Sequence, residues 1–468
     1  MKFINNSNDL AKFLNIKVAK DIKISNISTD TRYLKSESLF FAIKWDKFNG
    51  NDYVENALKK GACLVVTDSK RFKGCNNKRI IYVNNTVVSL RKIAKNILKS
   101  FEGNVIGITG SNGKTTTTKI ISSVLNKSSS TLKNYNNEIG MPLSIINANP
   151  KAKHLVIEMG AAKPKDIQYL SSVLKPNIGL ITNIGNSHLE KLKNIDGVLK
   201  VKSELVPNIK NHGYLVVPNE NSKHLSFWKS LRSNINIVTF GTEESADFYP
   251  EEIKYSLNKT KFRIKSKKFD TNIQINTSLS GEHNLRNILA SYAVSYIVKN
   301  SDEIFSSKLK NNFDSIIRQK QSKWIRGSVL IDDTYNANPE SVKKALDLLA
   351  SSSKRKIVLL GDMLELGRYR NKMHKDIGKY AAAKKIDIFL GFGDLTKYAV
   401  EGFGKDGIFF NDEILLKEFL KKNIQSKDVV LIKGSRGMKM ERYIDVWIFR
   451  NSASWYWSRF WCFKIFNS

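Results

Sequence analysis

Val105-Ile106-Gly107-Ile108-Thr109-Gly110-Ser111-Asn112-Gly113-Lys114-Thr115-Thr116-Thr117 decides the fold of this chain. The apolar run predicts a buried strand, the glycines a tight turn, and Lys114-Thr115 the opening of a helix. A strand–turn–helix of this kind points backbone N–H groups and one ammonium at the phosphates of a nucleotide. Gly110 and Gly113 let the backbone turn sharply and approach an anion. Lys114 can reach the β- and γ-phosphates, and the Thr115 hydroxyl suits Mg²⁺. The strict spacing G-x-x-x-x-G-K-[ST] is missed at one position, where Ile108 stands for the first glycine. With strand and helix both in place, ATP or GTP is the expected ligand.

Outward from this loop, apolar strands recur at Leu155–Met159, Ile178–Asn183 and Tyr214–Val217, with helical spacing between the first three. That order predicts an α/β domain with a largely parallel sheet over residues 101–311. Ligands of such sheets sit beyond the carboxyl ends of the strands, and Glu158, Asn183 and His188 fall at or past those ends. Residues 235–279 read as a β-rich excursion, followed by a helix over Leu285–Val298. Before the loop, residues 1–100 mix short strands and helices in a smaller α/β domain. After it, residues 312–445 restart the rhythm as a doubly wound, Rossmann-like domain. Strands are predicted there at Val329–Ile331, Ile357–Leu360, Ile388–Leu390 and Val429–Ile432, with helices at Pro339–Leu349, Asn371–Ala383 and Ile414–Lys422. Residues 446–468 break the pattern, with Trp447, Trp455, Trp457 and Trp461 in a stretch of neither helical nor strand period. Aromatics favour membrane interfaces. The abrupt change of composition and the lack of an amphipathic face instead favour a non-native, frameshifted end.

At 468 residues, with 41% hydrophobic and 26% charged, the chain has globular composition and a length suited to about three domains. A formal charge of +34 admits nucleic-acid binding. The lysines are scattered, however, and no helix carries a basic stripe with interleaved aromatics, so no nucleic-acid partner is expected. Cys63, Cys75 and Cys462 form neither a metal-spaced cluster nor an even disulfide framework, which suits a reducing compartment. Without a signal-like leader or an apolar run long enough to span a bilayer, a cytoplasmic protein with no stable membrane insertion is expected.

Glu158 ends a buried strand, where a carboxylate is a good hard ligand for Mg²⁺. A lone histidine such as His188 is more often structural than a ligand. Guanine-reading GTPases carry Asn-Lys-x-Asp after a strand. That tetrapeptide is missing from the sequence, so ATP is the better reading.

Thr109-Gly110-Ser111-Asn112-Gly113-Lys114-Thr115-Thr116 resembles the nucleotide loop of the Mur ligases, ATP-dependent amide-forming enzymes of peptidoglycan synthesis, in which Ile108 is no defect. The resemblance continues through Asn136-Asn137-Glu138-Ile139-Gly140, Glu158-Met159-Gly160, Thr182-Asn183-Ile184-Gly185, Lys202-Ser203-Glu204 and Gly281-Glu282-His283-Asn284. In the last domain it includes Asp332-Asp333-Thr334-Tyr335-Asn336-Ala337-Asn338-Pro339, Gly361-Asp362-Met363-Leu364-Glu365-Leu366-Gly367 and Lys433-Gly434-Ser435-Arg436. This last-domain set looks like that of the members that add D-alanyl-D-alanine to UDP-N-acetylmuramoyl-tripeptide. The Asp-Asn-Pro-Arg often found in the sister that adds the third residue is missing.

The resemblance implies a role for each matching position. Thr109 to Thr116, with Lys114 foremost, would bind the ATP phosphates. Thr115 and Glu158 would hold one Mg²⁺, His188 would support a second, and Lys202 would be carbamylated to become a metal ligand. Lys114, Glu158, His188 and Lys202 would thus form the catalytic set. Asn284 and Asn287, three apart on one helix face, would contact adenine. Arg318, Asp333 and Asn336 would reach the nucleotide from the last domain. Thr29, Asp30, Thr31 and Arg32 would hold the UDP moiety, and Asn136, Asn137, Lys433, Ser435 and Arg436 would bind the remainder of the substrates. A monomer is expected.

Overall fold

The predicted loop strand forms as Asn104–Thr109 and lies inside a six-stranded parallel sheet. Across the sheet the order is Asn236–Phe240, Tyr214–Pro218, Ile178–Ile181, Asn104–Thr109, His154–Glu158 and Ser128–Ser130. Ile106, Ile108, Val156 and Leu180 are wholly buried, as expected of a parallel sheet covered on both faces. The computed structural model describes residues 3–18, 20–45, 48–256, 259–279, 281–311 and 320–444. Arg318 and the aromatic-rich residues 446–468 lie outside them.

The chain divides into two compact units, one of Met1–Gly185 with Ile195–Ser315 and the other of Asn186–Asn194 with Ile316–Ser468. In the first unit a four-stranded parallel sheet runs in the order Asn26–Ser28, Ser38–Phe41, Ala62–Thr67 and Ile80–Tyr82. Helix Thr86–Lys99 follows it, capped by the Asn85 side chain, which accepts the Val88 N–H. Its apolar face, Leu90, Ile93, Ala94 and Ile97, is fully buried. The β-rich excursion is an antiparallel sheet of Tyr249–Ser256, Lys259–Lys265 and Asn272–Thr277. The following helix is Glu282–Ile297.

The second unit holds a six-stranded sheet in the order Lys320–Lys323, Val329–Asp333, Val429–Lys433, Lys356–Gly361, Ile388–Phe392 and Gly407–Phe410. Five strands are parallel, and Lys320–Lys323 adds an antiparallel edge. That edge, helix Thr396–Phe403 and strand Gly407–Phe410 were not predicted. Segments this short carry little periodic signal. Helix Pro339–Ala350 begins as Pro339 suggests, with Asn338 and Ser341 forming a reciprocal cap. Among the described residues no helix is long and apolar enough to cross a membrane.

Candidate functional site

Register pairs Ile108 with Glu158 and Thr109 with Ile181, so three parallel strands end together beside the phosphate loop. Beyond Thr109 the backbone takes φ of +143° at Gly110 and +79° at Gly113. A Cβ on Gly110 would strike the Thr182 hydroxyl, and one on Gly113 the Asn287 side-chain oxygen. Both positions therefore demand glycine, by dihedral and by close approach. Helix Lys114–Val124 starts directly after Gly113 with no side-chain cap, so its first turn opens at the loop. Thr116 lies in that first turn.

The loop is braced from the neighbouring strand end. Asn183 accepts the Asn112 N–H through Oδ1 (2.9 Å) and donates to the Asn112 carbonyl through Nδ2 (3.2 Å). The Thr182 hydroxyl donates to the same carbonyl (2.6 Å). Ser111 Oγ accepts the Gly185 N–H and donates to the Gly185 carbonyl, both at 2.9 Å. Lys114 Nζ donates to the carbonyls of Gly110 (2.6 Å) and Ser111 (3.1 Å), which holds the ammonium over the loop.

Glu158 is buried, 3% exposed. Its Oε2 accepts the Thr115 hydroxyl and its Oε1 the Asn136 amide, each at 2.8 Å. Its own N–H donates to the Thr131 hydroxyl (2.7 Å). Thr115 Oγ1 and Glu158 Oε2 are adjacent hard oxygens. Among the described residues no group of three or more His, Cys, Asp or Glu could hold a metal. That donor set fits Mg²⁺, which binds through one or two protein oxygens and completes its shell with water and substrate phosphate. Asn137 does different work: its Oδ1 accepts the Gly140 N–H (2.8 Å) at the start of helix Gly140–Ile146.

Lys202, near the end of helix Ile195–Ser203, is 1% exposed. Sequence reasoning alone would have left it among the many surface lysines. Burial, and secondarily the charge of Lys114, lower its pKa from 10.5 to about 7. Next to it, Ser203 Oγ accepts the indole N–H of the fully buried Trp228 (2.8 Å). Asn287 meets the loop: its Oδ1 accepts the Thr117 hydroxyl (3.3 Å) and lies where a Cβ on Gly113 would fall. Asn284 lies one turn earlier on the same helix.

Thr29 to Arg32 form a half-buried turn, with Arg32 exposed. Asp30 accepts the Arg32 N–H (2.9 Å), and its carboxylate takes a second contact from the Arg32 guanidinium at 2.6 Å. The Arg32 hydrogen bond lowers the Asp30 pKa. Lys60 Nζ donates to the Thr31 carbonyl (3.3 Å), and Lys133 Nζ lies 4.9 Å from the neighbouring Tyr33 ring.

In the second unit, Asp333 and Lys433 are register partners at two parallel strand ends. Lys433 Nζ donates to Asp333 Oδ2 (2.7 Å) and to the Asn336 carbonyl (2.8 Å). Asn336 Oδ1 accepts the Arg436 N–H (3.3 Å), and Ser435 Oγ donates to the Ala337 carbonyl (3.2 Å). Five predicted residues thus form one cluster. The Arg436 guanidinium turns to Glu441 at 3.0 Å. His188, expected at the strand ends beside the phosphate loop, belongs to the segment Asn186–Asn194 that folds with this second unit. There its Nδ1 meets the Glu365 carboxylate, a contact that lowers the Glu365 pKa. Sequence reasoning assigned no role to Asn183, Thr131, Trp228 or Glu365. Asn183 and Glu365 stand inside quoted motifs, whereas Thr131 and Trp228 carry no local signal.

Residues 23–101 match the Mur ligase family catalytic domain, residues 108–295 the Mur ligase middle domain, and residues 318–436 the Mur ligase glutamate ligase domain. The UDP-N-acetylmuramoyl-tripeptide--D-alanyl-D-alanine ligase of Buchnera aphidicola subsp. Baizongia pistaciae is 33% identical over 457 residues, covering 95% of this chain and 97% of its own. MurF from Acinetobacter baumannii shares the fold with a TM-score of 0.82 at 25% identity, over 93% of this chain and 96% of its own. MurF from Thermotoga maritima, solved in complex with ADP, gives 0.77 at 27% identity, over 92% and 98%.

Proposed function

This chain belongs to the Mur ligase family, and we propose that it joins D-alanyl-D-alanine to UDP-N-acetylmuramoyl-tripeptide in an ATP-dependent ligation. One observation supports this substrate pair above others: 33% identity, over 95% of the chain, to a ligase named for that pair. The reaction has two steps. A terminal carboxylate oxygen of the tripeptide attacks the γ-phosphorus of ATP, the bond to ADP breaks, and an acyl phosphate forms. The amine of D-alanyl-D-alanine then attacks the acyl carbon. The tetrahedral intermediate expels phosphate, and the nitrogen gives up a proton as the amide forms.

The residues supply what each step needs. Lys114 and the N–H groups opening helix Lys114–Val124 receive the phosphates, where negative charge builds. Bound Mg²⁺ would neutralise phosphate charge and orient the γ-phosphoryl group. Thr115 and Glu158 would hold it, and His188 and a carbamylated Lys202 a second. Lys202 suits that modification because only a neutral amine has the lone pair to attack CO₂. A pKa of about 7 leaves roughly half of it neutral at neutral pH. Starting from the neutral amine, the new N–C bond and the loss of one proton from nitrogen give a carbamate, an anionic oxygen pair. Asn284 and Asn287 would meet adenine, with Arg318, Asp333 and Asn336 completing the nucleotide site. Thr29 to Arg32 would take the UDP part. Asn136, Asn137, Lys433, Ser435 and Arg436 would contact the rest of the substrates. Asn137 would do so through its amide NH₂, since its oxygen caps a helix.

In this reading residues 1–100 receive the UDP-substrate, residues 101–311 ATP, and residues 312–445 complete the ligase as a monomer in the cytoplasm. The test is phosphate release by purified protein with ATP, Mg²⁺, UDP-muramoyl-tripeptide and a panel of amines. Release with D-alanyl-D-alanine alone is expected. Release only with a single amino acid on a shorter precursor would move the chain to a sister activity.

A further inference from the structure

Between Gly185 and Ile195 the chain leaves the first unit for nine residues and is gripped by the second. Asn186 N–H donates to Glu340 Oε1 (2.9 Å), and Glu190 N–H donates to the Glu365 carbonyl (3.1 Å). The Glu365 carboxylate meets Nδ1 of His188. One residue thus holds the segment twice, by backbone and by side chain. We propose that Glu365 is a positioning residue for His188, fixing its imidazole with the proton on Nδ1 and leaving Nε2 as the nitrogen offered to a divalent cation. This rests on the role given to His188 above.

Three observations support it. Both residues hold left-handed backbone, φ +52° at His188 and +65° at Glu365. Non-glycine residues take that region at a cost, and it persists where surroundings over-determine it. The surroundings here do so. Met363 N–H donates to Nε2 of the fully buried His374 (3.0 Å), and Leu364 N–H donates to Ser435 Oγ (2.8 Å). At Gly367, φ is +56° and a Cβ would lie 3.0 Å from the Glu190 Cα, so the two backbones are already in close approach. Finally, the Glu365 side chain is 55% exposed, so the carboxylate end of the contact lies in water, where such a contact adds little to stability. Strain on both partners without a stability return points to the orientation of the imidazole. A metal-binding histidine typically has its other nitrogen held by a carboxylate in this way.

The test is nitrogen-15 NMR of the full-length protein labelled at histidine, with H188Q to assign the signals, beside Mg²⁺-dependent kinetics. In the wild type, His188 is expected as the Nδ1–H tautomer before any metal is added. In E365A it should shift towards a tautomer mixture. The Mg²⁺ concentration for half-maximal rate should rise, or kcat fall, by about 10–100-fold. KM for D-alanyl-D-alanine should change by less than about 2-fold. E365Q, whose amide oxygen can still accept the proton, should keep the tautomer and more of the rate. H188A combined with E365A should be no slower than H188A alone. Unchanged His188 signals and Mg²⁺ dependence in E365A would overturn the proposal. Should E365A not fold, loss of the Nδ1–H tautomer in the wild type or in E365Q would do so. A wild type without ligase activity would sink the functional reading instead, while the tautomer comparison would still test the pair.

Discussion

Glu158 closes a parallel strand in the first unit and Asp333 closes one in the second, and both are buried, 3% and 8% exposed. Their partners differ. Glu158 accepts from a hydroxyl and an amide, both neutral. Asp333 accepts from the Lys433 ammonium, itself 2% exposed. The lysines differ in the same way. Lys433 has its counter-charge at 2.7 Å, while burial and Lys114 push Lys202 down to about 7. At the Asp333–Lys433 pair the protein matches buried charge with its own. Around the phosphate loop, part of the matching is left to ligands that bring their own charge. In the proposed function the loop leaves charge for its ligands to meet, while the Asp333–Lys433 pair also fixes the strand ends from which its neighbours would reach the nucleotide.

Substitutions at the two places should therefore differ in what they cost. The largest effect is expected at Lys202. Lys202→Ala should lower phosphate release at least about 100-fold, with no recovery on adding bicarbonate, because the amine that reacts with CO₂ is gone. Its melting temperature should fall little, since a desolvated lysine contributes little to folding. Activity restored by bicarbonate would remove Lys202 from the site. Asp333→Ala should differ by costing stability as well as activity. It strands the Lys433 ammonium in the interior, and removing one partner of a buried pair costs about 3–5 kcal/mol. Chemical denaturation should show that loss in the transition of the second unit. A loss below about 1 kcal/mol would mean that the pair is weaker than its burial suggests. Thr115→Val sits between them. It deletes one hydrogen bond to a carboxylate, about 1.5–3 kcal/mol, and also one of the two oxygens suited to Mg²⁺. Stability should fall by no more than that, while the Mg²⁺ requirement for activity rises.

Legibility in the sequence followed the same division. Strand ends and the phosphate loop could be read because long apolar runs and glycine spacing are local signals. Asn104–Thr109, His154–Glu158 and Val429–Lys433 form within a residue or two of expectation. Lys202 could not be read from its own surroundings, since its burial depends on what packs over helix Ile195–Ser203. Only resemblance picked it out. The Glu365 contact is likewise non-local, joining residues 177 positions apart through a nine-residue excursion of the chain. Neither periodicity nor composition signals an excursion that short. The antiparallel edge Lys320–Lys323 was missed because a four-residue polar strand has no apolar alternation to detect.

The smallest effect, and the one that separates the units by pH, is expected at His374. It is fully buried, its Nε2 accepts the Met363 N–H, and its Nδ1 lies 2.7 Å from the Arg370 carbonyl. Burial holds its pKa below the ordinary 6.5, outweighing the Arg370 contact, which acts to raise it. Above 6.5 both folded and unfolded chains carry a neutral imidazole, and the stability from burying it is fully present. As pH falls through 6.5 the unfolded chain takes up a proton that the folded chain still refuses. The unfolding free energy then falls, by at most about 1.4 kcal/mol per pH unit, until the folded pKa is reached. His154 and His224 in the first unit are lowered by burial too, so wild-type pH dependence is shared between units. His374→Gln isolates the contribution of the second unit. Its amide oxygen can accept the Met363 N–H but does not titrate. Between about pH 7.5 and 5.5 the variant should therefore lose up to about 1 kcal/mol less stability than the wild type. An identical pH slope would mean that His374 takes up its proton in the folded state as readily as in the unfolded one. The brace behind Glu365 would then be open to protons, and the second unit less closed than its buried pairs imply.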